Sequence, residues 1–311
     1  AFEMSPLLGF SRKGFAIGPR NMAGQTYMMA NAVQNFLKIP SISFSLEKSG
    51  LNFPAHIEIS AENWRNPSWQ FQQRELLSGG FSHVLSECGT GVLGTMGGKF
   101  IDEQLSLLEE NGISAGVLLH GSEIRDPASH QHFPYSPFSK EDEFTKILQD
   151  SVTTLKSHLT GLRVPIFVTT PDLLQYIEGE WLPIVIDFDF WTSLPPAPQN
   201  PKPTVLHVPS NNQLKGSKYI DQELSQLESE GKIKYLRPEE RVSSASVHSL
   251  ISQSDIVVDG IVIGAYGVTS CQAMAAGRIV IGNTNELDFL RAECPILHAD
   301  PSSLRTAVES L

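Results

Sequence analysis

The chain has 311 residues, a formal charge of -11 at pH 7, 41% hydrophobic and 18% charged residues. That length suits two domains of ordinary size, and the balance is that of a folded protein rather than a disordered one. The acidic excess argues against nucleic-acid or anionic-membrane binding through overall charge, and no run of about 18 apolar residues suggests a membrane span.

The expected elements alternate between short apolar runs and longer helical patterns. A strand at Phe15–Gly18 enters a loop and a helix over Gly24–Leu37. Strands follow at Ser41–Phe44 and Ser82–Leu85, then a helix at Phe100–Glu110 stopped by Asn111-Gly112. A buried strand at Ala115–Leu119, a long amphipathic helix at Glu141–Leu159 and strands at Pro165–Val168 and Pro183–Ile186 complete this half. Five prolines in the ten residues 194–203 exclude a helix interior or a central strand. The expected division is therefore an N-terminal domain over 1–194, a semi-rigid linker over 195–203 and a C-terminal domain over 204–311. The alternation restarts with strand Thr204–Val208, helix Ser217–Glu230, strand Ile233–Leu236, helix Ser243–Gln253 and strand Asp255–Val258. A glycine-marked turn and small-residue helix, Gly264–Gly277, precede strand Ile279–Ile281. Strand Pro295–His298 and helix Pro301–Leu311 come last. Such alternation predicts an α/β protein with two Rossmann-like domains, each a parallel sheet covered on both faces.

Four loops follow predicted strands, where open α/β sheets bind ligands. In the first, Gly18–Tyr27, backbone N–H groups are expected near a phosphate, against the alternative of an ordinary helix-capping turn. The second is His120-Gly121-Ser122-Glu123-Ile124-Arg125-Asp126-Pro127. His120 suits donation to a sugar hydroxyl or phosphate, and Glu123, Arg125 and Asp126 suit contacts of the same kind or a salt-bridge cluster within the loop. In the third, Lys215 beside Gly216 suits a diphosphate, the ammonium supplying charge and the glycine a close backbone approach. In the fourth, Gly264 and Gly267 suit a tight turn, Gly267-Val268-Thr269 an anion-binding helix start, and Gln272 a ribose hydroxyl.

Other groupings carry less. His130-Gln131-His132 has no carboxylate or cysteine in register, so no metal site is expected. Cys88 precedes Gly89-Thr90-Gly91 with no assignable base. Trp64 and Trp69 lie in a polar, proline-containing stretch and suit an exposed lid, an acceptor contact or satellite core. The three cysteines, Cys88, Cys271 and Cys294, lack metal-ligand spacing and fit a reducing compartment. The N-terminal stretch, with no basic region before a long apolar core, does not read as a secretory signal, so the expected location is cytoplasmic.

In this order the motifs resemble a GT-B nucleotide-sugar-dependent glycosyltransferase of the large retaining group (group 1, family 4-like). The resemblance spans about residues 14 to 305. It rests on N-x-A-G-Q at Asn21–Gln25, H-G-S-[DE]-x-R at His120–Arg125, Thr169-Thr170-Pro171-Asp172-Leu173-Leu174 with Trp181-Leu182-Pro183, Lys215-Gly216, and the block Asp255–Gly277. It implies a donor in the interdomain cleft and transfer with retention. His120 and Lys215 would be catalytic. Gly24, Gln25, Lys215, Gly216, Gly264, Tyr266, Gly267, Val268, Thr269 and Gln272 would bind the donor, and Asn21, Glu123 and Arg125 would contact sugar or acceptor. An NDP-sugar would be co-substrate, with no covalent cofactor and no metal. A protein partner or homodimer would be possible, and nucleic acid is not expected. The chain departs from the family at 264 and 272, where two acids would fall and Gly264 and Gln272 stand. The stretch Ser210–Gln213 lacks the family's arginine. These departures leave the alternative of a catalytically weak or inactive glycosyltransferase-like binding or partner subunit, and the same fold also admits, as a lesser alternative, a nucleotide-sugar epimerase.

Overall fold

A computed structural model describes residues 14–46, 53–198, 200–240, 242–290 and 294–311. The first thirteen residues, read above as lacking a signal, lie outside it. The first half runs β1 (Gly14–Gly18), α1 (Gln25–Ala32), β2 (Ser41–Leu46), β3 (Ile57–Ile59), α2 (Ala61–Arg65), α3 (Pro67–Gly80), β4 (Phe81–Glu87), α4 (Leu105–Glu110), β5 (Ser114–Leu119), α5 (Pro127–His130), α6 (Glu143–Leu159), β6 (Ile166–Val168) and β7 (Glu180–Trp181). The second runs α7 (Phe188–Thr192), β8 (Thr204–Leu206), α8 (Asn212–Lys215), α9 (Ser217–Ser229), β9 (Lys234–Leu236), α10 (Ser244–Ser252), β10 (Ile256–Val258), α11 (Val268–Ala275), β11 (Ile279–Gly282), β12 (Leu297–His298) and α12 (Leu304–Glu309).

The strands form two parallel sheets, ordered β3-β2-β1-β4-β5-β6-β7 and β12-β11-β10-β8-β9. Side-chain alternation gives each sheet two covered faces. In the first, Ala16, Phe44, Val84 and Val117 enter one cluster, while Ile17, Leu85 and Leu118 enter another. In the second, Val205, Ile256 and Val258 face one way and Leu206, Val257 and Val280 the other. Strand order reverses between β1 and β4 in the first sheet and between β10 and β8 in the second. The loops leaving those strands diverge there and open a crevice beyond the strand ends.

Helix starts follow their caps. Asn66 accepts from Ser68 N–H with Pro67 at the first position of α3, and Asp142 accepts from Thr145 N–H at α6. The expected Phe100–Glu110 helix begins late because Phe100 forms an antiparallel bridge with Thr90, leaving a 3₁₀ turn at Asp102–Gln104. No strand forms at Pro183–Ile186. Glu180–Trp181 takes the place beside β6, and Val185 bonds the Gln25 carboxamide through both N–H and C=O, at 2.9 and 3.0 Å. Trp64 is buried and Trp69 packs against the same core, so the pair is core on α2 and α3 and not an exposed lid. Ahead of the proline-rich stretch, Trp191 of α7 packs in the second half's core with Leu206, Val257 and Ala273. Arg278 Nη2 then donates to Pro195 C=O at 2.8 Å, tying that stretch to the same half. No helix is long and apolar enough to cross a membrane among the described residues.

Candidate functional site

A cavity of about 260 Å³ lies between the C-terminal ends of the two sheets. From the first half it is lined by Gln25, His120, Glu123 and Thr170 among others, and from the second by Lys215, Tyr266, Gly267, Val268, Thr269 and Gln272. Of the residues expected at a site, these lining ones converge, apart from Thr170, which was not singled out. Asn21, Gly24, Arg125, Gly216 and Gly264 do not line it.

On the second half's wall, Gly267 precedes α11 in an extended conformation (φ −127°, ψ −176°), and no side chain caps the helix. The first N–H groups of α11 therefore lie at the cavity without a capping acceptor, where the helix dipole favours an anion. Lys215 Nζ pairs with Asp259 Oδ1 at 2.5 Å, and Ser270 Oγ donates to Oδ2 at 2.6 Å. Burial alone would raise the Asp259 carboxyl; Lys215 and Ser270 outweigh it and hold Asp259 below the usual carboxylate range. A Cβ on Gly267 would stand 3.2 Å from both Lys215 Nζ and Asp259 Oδ2, so this glycine leaves room for the ammonium. Gln272 lines the cavity and its carboxamide has no protein partner among the described residues. Burial pushes the Tyr266 phenol up, so it stays a neutral hydroxyl.

The first half's wall is built around acids. Glu87, fully buried at the end of β4, accepts from Asn21 N–H and, through Oε1, from Met22 N–H at 3.3 Å and His120 Nε2 at 2.8 Å. Glu123 accepts from the His120 N–H and from Gly121 N–H at 3.0 Å. The N–H groups of Asn21 and Met22, expected near a phosphate, are thus turned to Glu87. Burial opposes a charge on His120, but Glu87 and Glu123 outweigh it and raise the ring above its ordinary value. Reading the sequence missed Glu87; the available signal was an acid ending an otherwise apolar central strand.

The remaining expected residues hold the frame. Arg125 pairs with buried Asp172, while Arg125 Nε and Asp172 Oδ1 have no partner among the described residues. Asp126 caps α5 and meets Lys156 at 3.2 Å, so Arg125 and Asp126 pair outside the loop while Glu123 turns back on its N–H groups. Gly24 adopts φ 79° beside the Phe53 ring, and Gly216 adopts φ 72° beneath Val262. Gly264 adopts φ 84°, and a Cβ there would meet Glu286 Cγ at 2.9 Å. Glu286 and the left-handed backbone together account for a glycine where the resembling family has an acid. Glu286 Oε1 in turn lies 3.1 Å from His130 Nε2, an ion-pair distance, while the hydrogen bond from that nitrogen runs to Ile263 C=O at 3.2 Å. His130 therefore does have a carboxylate partner, supplied by the other half of the chain. Among the described residues one trio is spaced for a metal, Asp102, Glu103 and His158, none of which lines the cavity.

No protein-family model matches the chain, and no curated protein matches it. Solved structures do. Sucrose-phosphate synthase from Thermosynechococcus elongatus is 13% identical, with 96% of this chain and 89% of that one covered and a TM-score of 0.52. An α-glucosyltransferase in complex with UDP and a 13-mer DNA containing an HMU base is 11% identical, with 96% and 90% covered and a TM-score of 0.54. The likeness is one of fold, and the chain carries the GT-B glycosyltransferase fold.

Proposed function

We propose that the chain transfers a sugar from a nucleoside-diphosphate sugar to an acceptor hydroxyl, with retention at the anomeric carbon. The observation that carries the reading is the uncapped start of α11 beside Lys215, in a cavity walled by both halves. The diphosphate lies against the first N–H groups of α11, and Lys215 turns from Asp259 to share its charge with it. Gln272 takes ribose hydroxyls with an amide oxygen and an amide donor. Val208, Val242 and Val247 line the same cavity and give the base an apolar wall. His120 and Glu123 approach the sugar from the first half. As the bond from the anomeric carbon to the diphosphate breaks and the acceptor oxygen bonds that carbon, the acceptor's proton passes to the leaving phosphate oxygen, and the helix start and Lys215 stabilise the charge that develops there. The chemistry needs no metal in this arrangement, and a cytoplasmic location suits a nucleotide-sugar donor.

A transfer assay over UDP-, GDP- and ADP-sugars, with and without Lys215→Ala, tests this. Turnover that survives the substitution unchanged would remove Lys215 from the reaction. A second reading, nucleotide binding without transfer, is favoured by the neutral Gly264 and Gln272 and by the engagement of Glu286 with His130. Tight nucleotide binding with no transfer to any acceptor would support it.

A further inference from the structure

The cavity's first-half wall has two separate parts in contact with the ligand space: the loop after β1, through Met22 and Ala23, and His120 after β5. They come from separate strands, and neither sets the other's position through the backbone. One group touches both. Glu87 is 0% exposed and receives Asn21 N–H on one oxygen, with Met22 N–H and His120 Nε2 on the other. A carboxylate offers acceptors only, so each of these contacts requires a donor. The Nε2 atom of His120 must then carry hydrogen, which leaves Nδ1 as the nitrogen available to a ligand.

We propose that Glu87 is the positioning residue of this site, fixing His120 as the Nε2–H form and holding the loop after β1 in register with it. This rests on the sugar-transfer reading for its consequence in turnover, but not for its structural content. A ring free to exchange tautomers would present Nδ1 as an acceptor part of the time and as a donor the rest. With Glu87 in place the neutral ring presents an acceptor, and the protonated ring a donor, always on the same atom. Glutamine at position 87 is nearly the same size, yet its NH₂ faces donors that the second carboxylate oxygen now receives. Either Asn21 N–H or the ring loses its partner.

The test is ¹⁵N-histidine NMR at alkaline pH, where the ring is neutral, with the His120 signals assigned by their loss in His120→Gln. The wild-type ring should show hydrogen on Nε2, and Glu87→Gln should shift it to mixed tautomers. The same variant should lose roughly 10- to 100-fold in kcat, with nucleotide affinity in calorimetry changed by less than about threefold. A wild-type Nδ1–H ring overturns the proposal, even if Glu87→Gln does not fold. So does a folded Glu87→Gln that keeps either the tautomer or kcat unchanged. If the wild type transfers no sugar to any acceptor, the transfer reading fails by itself. The tautomers of wild type and variant then still decide whether Glu87 orients the ring.

Discussion

Glu87 closes β4 in the first half, and Asp259 follows β10 in the second; each is buried and each stands at the reversal of strand order in its sheet. They do different work. Glu87 accepts from Asn21 and Met22 N–H of the loop after β1, and Glu123 from His120 and Gly121 N–H of its own loop, so those four amide donors of the first wall are already paired. Asp259 instead holds one ammonium and one hydroxyl, and the start of α11 beside it remains uncapped. The second wall is therefore the one that offers an anion an uncapped helix start. The first is suited to hydroxyl groups and to a single imidazole. Two loops at the strand-order reversals thus differ in what they offer a ligand, according to where the neighbouring N–H groups are directed.

The largest expected effect comes from removing the cation. Lys215→Ala should lower transfer by about 100-fold or more, a loss of the size seen when a group stabilising developing charge is deleted. It should also leave Asp259 buried without its partner, lowering the melting temperature. Adding Asp259→Asn should restore stability but not transfer, which separates the two roles. Next, Gly267→Ala keeps an allowed backbone but places a methyl 3.2 Å from the ammonium, in the path to α11. Nucleotide affinity should fall by about tenfold, while an equal loss from Thr170→Val on the first wall, where the backbone is extended, would break the contrast. Gln272→Glu should tighten the ribose contact, since a carboxylate is the stronger acceptor, and raise nucleotide affinity by roughly threefold. Isothermal titration reads both changes.

The smallest effect is in pH-dependent stability, where the halves differ in sign. Burial, partly opposed by the bond to Val258 C=O, lowers His207 from 6.5 to about 4. It is held between that carbonyl and Ser217 Oγ, both at 2.8 Å. The folded state resists its protonation, so its contribution is present above 6.5 and is lost as pH falls towards 4. His120 is raised instead, so its contribution is present below 6.5 and is lost as pH rises through the raised value. Urea denaturation at pH 5 and pH 7 should show His207→Gln flattening the acid-side loss. A variant as acid-sensitive as the wild type would contradict this.

Much of the fold is legible because unbroken apolar runs such as Val205–Leu206 and Val117–Leu119 report strands covered on both faces. His120 and Gly267, in loops after strands, and Lys215 and Gln272, on the short helices α8 and α11 that such loops lead into, are legible as cavity-lining residues because each lies just beyond an expected strand. Glu87 is not, since a lone acid at a strand end looks like the first polar residue of a turn. The strand expected at Pro183–Ile186 fails because an apolar run does not reveal that Gln25, some 160 positions away, takes up its backbone groups. The pairing of His130 with Glu286 is equally long-range, and Gly264 is explained only once Glu286 is seen beside it.

The central claim is that the second wall binds a nucleoside diphosphate through α11 and Lys215. Calorimetric titration with UDP, GDP and ADP tests it most directly. The account predicts saturable binding of at least one of them, weakened about tenfold or more by Lys215→Ala. Failure of all three to bind the folded wild-type protein, or binding that ignores Lys215→Ala, would contradict it.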